Sequence, residues 1–295
     1  MKNFAVLRLI FLSLIIKAAV TLKRHPGNCI DTWIRVWAVW NSFKLGKARA
    51  IQLFVNPISS IRYFEFEFSK HHLQSNAPKR ILDVSSPRAF AFYICKKVST
   101  STYTMINPDR IDRQETLIQK KALNINNLNV LDGDATKLKF ADNKFDAVIS
   151  ISVIEHINGN GDMKAMKEFW RVLTPGGKLI LTTHIAKQKR VEYREHDQYN
   201  LSRHKKSKYF FQRVYDSESF NKRILSRLPV KPIDQKIWGE KVNGWFDAYI
   251  NRWIKNGIEE TIYDPWYMAT KFKSFDSINQ LPGIGVIGIA FKKPS

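Results

Sequence analysis

The run "LDGDATKLKFADNKFDAVISISVIEHI", residues 131–157, decides the fold. Its centre, "FDAVISIS" at 145–152, is apolar and strongly β-branched, as expected of a central strand buried on both faces of a parallel sheet. Working backward, "RILDV" (80–84), "STYTMI" (101–106) and "NLNVLDGD" (127–134) read as the first three strands. The amphipathic stretches "PRAFAFYICKKV" (87–98) and "DRIDRQETLIQKKAL" (109–123) are the helices between them. Working forward, "MKAMKEFWRVL" (163–173) is a helix stopped by "TPGG", and "KLILTTH" (178–184) is a fifth strand. A basic connection follows, then a sixth helix in "DSESFNKRILSRL" (216–228) with Asp216 or Ser217 as N-cap, and last strands in "PIDQKIWGE" and "GVIGIAFKKP". The expectation is an α/β fold with a doubly wound, seven-stranded, mostly parallel sheet. Residues 1–78 form an N-terminal helical extension to the domain at 79–295, and an aromatic-rich insertion at about 240–282 precedes the last strand.

With 295 residues, 44% of them hydrophobic, the chain can bury a sizeable core. Its two cysteines, Cys29 and Cys95, exclude a disulfide scaffold and a cysteine-rich zinc site, so no metal is expected and the compartment reads as reducing and cytoplasmic. The formal charge of +22 is uneven: residues 1–50 hold nine Lys/Arg against the single acid Asp31, and residues 186–213 hold nine against Glu192, Glu195 and Asp197. Such fields attract nucleic acid, anionic lipid headgroups or phosphorylated substrates alike. In "MKNFAVLRLIFLSLIIKAAVTL" (1–22), Arg8 and Lys17 leave too short an apolar run to span a bilayer, and no cleavage site suits a signal peptide. "DTWIRVWAVW" (31–40) sets Trp33, Trp37 and Trp40 at helical spacing beside Arg35, which suits either an interfacial membrane helix or a cap on the core.

The segment order, with "LDGDATKLKFADNKFDAVISISVIEHI" and "EFWRVLTPGGKLILTTH" (168–184), resembles the class I S-adenosylmethionine (SAM) dependent methyltransferases, specifically the type 11 group with a Rossmann-like sheet. The likeness implies SAM at the carboxyl ends of the first strands. It also implies an adenine contact from Asp134, with Ala135 and Ser150 as further cofactor-binding residues. The family's first turn reads Asp-x-Gly-x-Gly-x-Gly; here it is Asp83, Val84, Ser85, Ser86, Pro87, Arg88, Ala89, without a glycine. Pro87 suits the first helical position, and Ser85 or Ser86 the helix cap, leaving main-chain amides for the carboxylate of SAM. Where the family places a ribose-binding acid after the second strand, this chain has Asn107, with Asp109 two residues on.

Methyl transfer needs donor and acceptor held in line, and a hydroxyl acceptor also needs a base. Glu155 and His156 are the catalytic candidates, and His184, Tyr193 and His196 the substrate candidates. Missing motifs set aside several rivals: no Asn/Asp-Pro-Pro-aromatic run follows the fourth strand, no cysteine follows a proline, and no Gly-x-Gly-x-x-Gly opens the first helix. The expected activity is SAM-dependent methyl transfer to a small-molecule, lipid or saccharide acceptor, peripheral at the inner membrane face. A catalytically inactive methyltransferase-like binding protein and an RNA methyltransferase are the alternatives, nucleic acid being the less favoured partner.

Overall fold

The computed structural model describes residues 2–21, 23, 25–74, 78–199 and 207–295. Five helices come first: α1 Lys2–Thr21, α2 Asn28–Trp40, α3 Ser42–Leu45, α4 Lys47–Val55 and α5 Arg62–Gln74. The alternating region follows, with β1 Arg80–Val84, α6 Arg88–Lys97, β2 Thr102–Ile106, α7 Arg110–Ala122, β3 Leu128–Leu131, β4 Phe145–Ile151, α8 Gly161–Val172 and β5 Leu173–Ala186. A hairpin of β6 Arg190–Arg194 and β7 Tyr209–Val214 leads to α9 Ser217–Arg223 and β8 Asp234–Glu240. The insertion contributes α10 Trp245–Asn256, α11 Ile258–Thr261, α12 Asp264–Lys271 and β9 Phe272–Phe275, before β10 Ile284–Lys292.

The main sheet has eight strands in the order β3-β2-β1-β4-β5-β10-β8-β9, where seven were expected. β1 to β5 run parallel, while β10 lies antiparallel between β5 and β8. The extra strand is β9, which pairs antiparallel with β8 through Ile237–Phe275 to Glu240–Phe272. Its "FKSF" is too short and half-polar to announce a strand, and pairing on an open sheet edge makes it one. The sixth helix is shorter than expected, ending at Arg223; Asp216 caps it, accepting from the Ser219 amide at 2.8 Å.

Alternation along the strands divides the core. Ile81, Tyr103, Ile149 and Ile180 face α2, α5 and α6, while Leu82, Val148, Leu179 and Leu181 face α8 and α9. Gly288 on β10 lets α5 lie on the sheet, because a Cβ there would sit 2.6 Å from the Phe68 ring. Trp33 and Trp37 stack at 5.3 Å and join the core beside Phe92 and Tyr93, whereas Trp40 is 84% exposed. Arg35 is buried, pairing with Asp31 at 2.8 Å; the same carboxylate takes Lys17 of α1 at 2.5 Å and the Tyr63 hydroxyl at 2.5 Å. That network ties α1, α2 and α5 together.

The chain reverses its direction of travel across the sheet between β1 and β4, so their carboxyl ends border a crevice. Among the described residues no helix is long and apolar enough to cross a membrane, and no cluster of three metal-ligating side chains occurs.

Candidate functional site

At the end of β1, Ser85 takes the left-handed conformation (φ +55°) that a glycine would otherwise supply. Its amide and hydroxyl both reach the Ile106 carbonyl, at 2.9 and 3.0 Å, and this double contact holds the unfavoured backbone in place. Asp83 is fully buried and braces the turn from beneath, accepting from the Tyr103 hydroxyl at 2.6 Å and the Ser86 amide at 2.9 Å. Burial pushes its carboxyl up to about 6, against the opposing pull of those two donors. Neither serine caps α6, contrary to expectation. The Ser86 hydroxyl accepts from the Ile151 amide of β4 at 3.1 Å, and Pro87 lies just before the first helical residue instead of at it. The first amides of α6 therefore have no side-chain partner. Arg88 pairs with Asp112 and stands 3.6 Å from Glu115, and Phe90 is buried against Phe66, so these two bulky residues turn toward α7 and the core.

At the end of β2, both ends of the Asn107 amide are committed: Nδ2 donates to Asp112 at 2.7 Å and Oδ1 accepts from the Asp109 amide at 2.9 Å. Asp109 caps α7 through Oδ1, and its Oδ2 has no protein partner among the described residues. After β3, exposed Asp134 uses Oδ1 to hold the Thr136 amide and hydroxyl, both at 2.8 Å, and Oδ2 is likewise without a protein partner. Ala135 beside it is buried.

The densest chemistry lies at the ends of β4 and β5. Ser152 is again left-handed (φ +46°), and the turn after it carries Glu155 and His156. Glu155 pairs with His184, not His156: its Oε1 accepts from His184 Nδ1 at 2.8 Å. Its Oε2 is buried without any hydrogen-bond partner, as is the hydroxyl of Ser150. Burial opposes ionisation of Glu155, yet the His184 hydrogen bond and the two neighbouring imidazoles hold its carboxyl down to about 2. His156 Nδ1 donates to the Phe211 carbonyl at 2.7 Å, and burial pushes the basicity of this ring down. Each imidazole thus has Nδ1 occupied, and neither Nε2 has a protein partner among the described residues.

Three residues close on this cluster that the sequence did not single out. Glu65 of α5 is buried and accepts from Ser152 and from Thr182 Oγ1 (2.8 Å), with Arg62 at 2.6 Å on its other oxygen. Arg62 also reaches toward the Ile151 carbonyl at 3.5 Å. Tyr199 stacks over Phe211 and meets His156 edge-on at 5.2 Å. Local patterning cannot find them, since "IRYFEFEF" and "DQYN" look like any helix or loop. Tyr193 lies on β6 and His196 just after it, and both are exposed.

A family model described as a methyltransferase domain matches residues 82–181. The chain is 40% identical over 65 residues to a mouse (Mus musculus) protein named probable tRNA methyltransferase 9B, a match covering 22% of this chain and 14% of that one. It is 31% identical over 109 residues to the demethylmenaquinone methyltransferase of Deinococcus radiodurans, covering 36% of this chain and 44% of that one. The chain thus spans less than half the length of these curated relatives. Among solved structures, the MccD protein superposes with a TM-score of 0.51 at 16% identity, covering 78% of this chain and 96% of that one, a likeness of fold.

Proposed function

We propose that the chain is a class I SAM-dependent methyltransferase, as its match to a methyltransferase-domain model over residues 82–181 supports, and that it methylates a hydroxyl on a small-molecule, lipid or saccharide acceptor, with Glu155 and His184 handling the acceptor proton. The observation that carries this reading is the buried Glu155 carboxylate, which fixes His184 through one oxygen and leaves the other without a partner beside the crevice. Evolved folds rarely retain a buried carboxylate oxygen unpaired, because the desolvation costs several kcal/mol; an incoming hydroxyl or water supplies the missing donor.

The residues present fit SAM. The uncapped amides of α6 suit its carboxylate, and Asp134 Oδ2 suits the adenine amino group. Asp109 Oδ2, rather than the committed amide of Asn107, suits a ribose hydroxyl. When bound, SAM supplies a methyl group on a sulfonium and leaves as a neutral thioether. The chain's own part is to align the acceptor, exclude water and take its proton. With Nδ1 donating to Glu155, His184 presents the Nε2 lone pair, and the carboxylate stabilises the imidazolium that forms. His156 is held by the Phe211 carbonyl through Nδ1, which leaves its Nε2 as a second candidate for acceptor contact. Tyr199 and Phe211 shield that side from solvent. The setting we propose is the cytoplasm, peripheral at the inner membrane face.

Two measurements test this. Calorimetry with SAM should give a one-to-one isotherm, and its absence would favour the inactive binding protein. Labelled SAM incubated with fractionated host extract should move label into a lipid, saccharide or small-molecule fraction; label in RNA would overturn the acceptor class.

A further inference from the structure

α1 is apolar on both sides. One side is buried by the protein: Ser13 donates to the Val55 carbonyl at 2.9 Å, Ile16 packs with Val55 and Ile262, and Lys17 reaches Asp31. The other side shows Leu7, Phe11, Leu14 and Ile15 to solvent, with exposed Arg8 among them. Between α1 and α2 to α4 runs a groove of about 840 Å³, lined among others by Val6, Leu7, Ile10, Val39, Phe43 and Phe54. Phe43 in its lining is fully exposed, and Trp40, next in sequence to the lining residue Val39, is exposed as well. An apolar surface of this extent on a helix about 30 Å long calls for a cover.

Charge selects the cover. The single acid within residues 1–50, Asp31, is buried under Lys17 and Arg35, while Arg8, Lys44 and Lys47 are exposed and Lys47 lines the groove. A second copy of this chain would set like charges against each other across the face. An anionic bilayer supplies both missing complements, headgroup charge for the lysines and hydrocarbon for the groove.

We propose that α1 to α4 form an in-plane docking site for an anionic phospholipid bilayer, with a lipid chain occupying the groove. The inference rests on the peripheral-membrane part of the proposed function and is independent of methyl transfer.

Flotation of the full chain with phosphatidylcholine vesicles, with and without phosphatidylglycerol, tests it. Binding should be at least ~10-fold tighter with the anionic lipid and weaken with salt. L7S/F11S/F43S removes only exposed side chains and should lose at least ~10-fold in binding at unchanged melting temperature. K44E/K47E should lose the preference for the anionic vesicle. Chain-brominated lipid should quench Trp40, read against W40F. Equal binding to neutral and anionic vesicles would overturn the proposal. So would a wild-type dimer that L7S/F11S/F43S converts to monomer without vesicle binding. Vesicle binding in a protein that shows no SAM affinity would keep this inference and sink the methyl-transfer reading; the reverse result would do the opposite.

Discussion

Glu155→Gln is the sharpest perturbation of the site, because it keeps the shape of the side chain and removes its charge. In the wild type one oxygen lies 2.8 Å from His184 Nδ1 and the other has no partner. Glutamine has two ways to fill that space. With its oxygen toward His184, a buried amide NH2 is left without an acceptor, costing about 1–3 kcal/mol. With its NH2 toward His184, the ring must carry its proton on Nε2 and loses the lone pair a base requires. Either way methyl transfer should fall by roughly 10²- to 10⁴-fold in kcat, while SAM affinity, which the proposed site assigns to α6, Asp109 and Asp134, stays within about threefold.

The same substitution has a thermodynamic signature. Glu155 is held near about 2 against an ordinary 4.5, so ionisation favours the folded state by roughly 3 kcal/mol. That stabilisation is present above the unfolded value of 4.5 and is lost as pH falls through about 2. The deficit of Glu155→Gln should therefore be constant above about pH 5 and shrink toward pH 2. The assay is turnover of labelled SAM with the accepting extract fraction, beside calorimetric SAM binding and urea melts across pH. Unchanged kcat with intact SAM binding would refute the catalytic role of the pair, and a pH-independent deficit would refute the electrostatic account.

Burial pushes Asp264, between the Tyr249 hydroxyl and the Ser60 amide, up to about 8. The folded state holds this proton more tightly than the unfolded chain, so its contribution is full below 3.8 and lost as pH rises through about 8. Asp264→Asn should flatten the fall in melting temperature between about pH 4 and 8. Asp31→Ala strands Lys17 and Arg35 and should cost about 3–5 kcal/mol in urea unfolding, with limited proteolysis releasing α1 first. Ser85→Val places a β-branched residue at φ +55° and should destabilise by at least ~1 kcal/mol, whereas Ser85→Gly should keep SAM affinity within a few-fold in calorimetry.

Strand identity was legible in residues 80–184, since an apolar run bounded by turn residues carries its period within a few positions. Asp134 was marked by the family resemblance, which places an acid after the third strand, and it follows β3 in the structure. The partner of Glu155 was not legible: His156 is adjacent in sequence, but the turn after Ser152 aims the carboxylate across to His184 on the neighbouring strand, 29 positions away. Nor could spacing reveal that Asn107 would be absorbed by Asp112 and the Asp109 amide, or that Ser85 would stand in for a glycine once the Ile106 carbonyl held it. What the chain's order settles alone is which segments extend, which coil and how charge is shared out, all short-range properties. Which strand edge stays open for β9, which acid meets which imidazole, and which face of α1 is left uncovered depend on distant segments meeting, and so only the packed structure decides them.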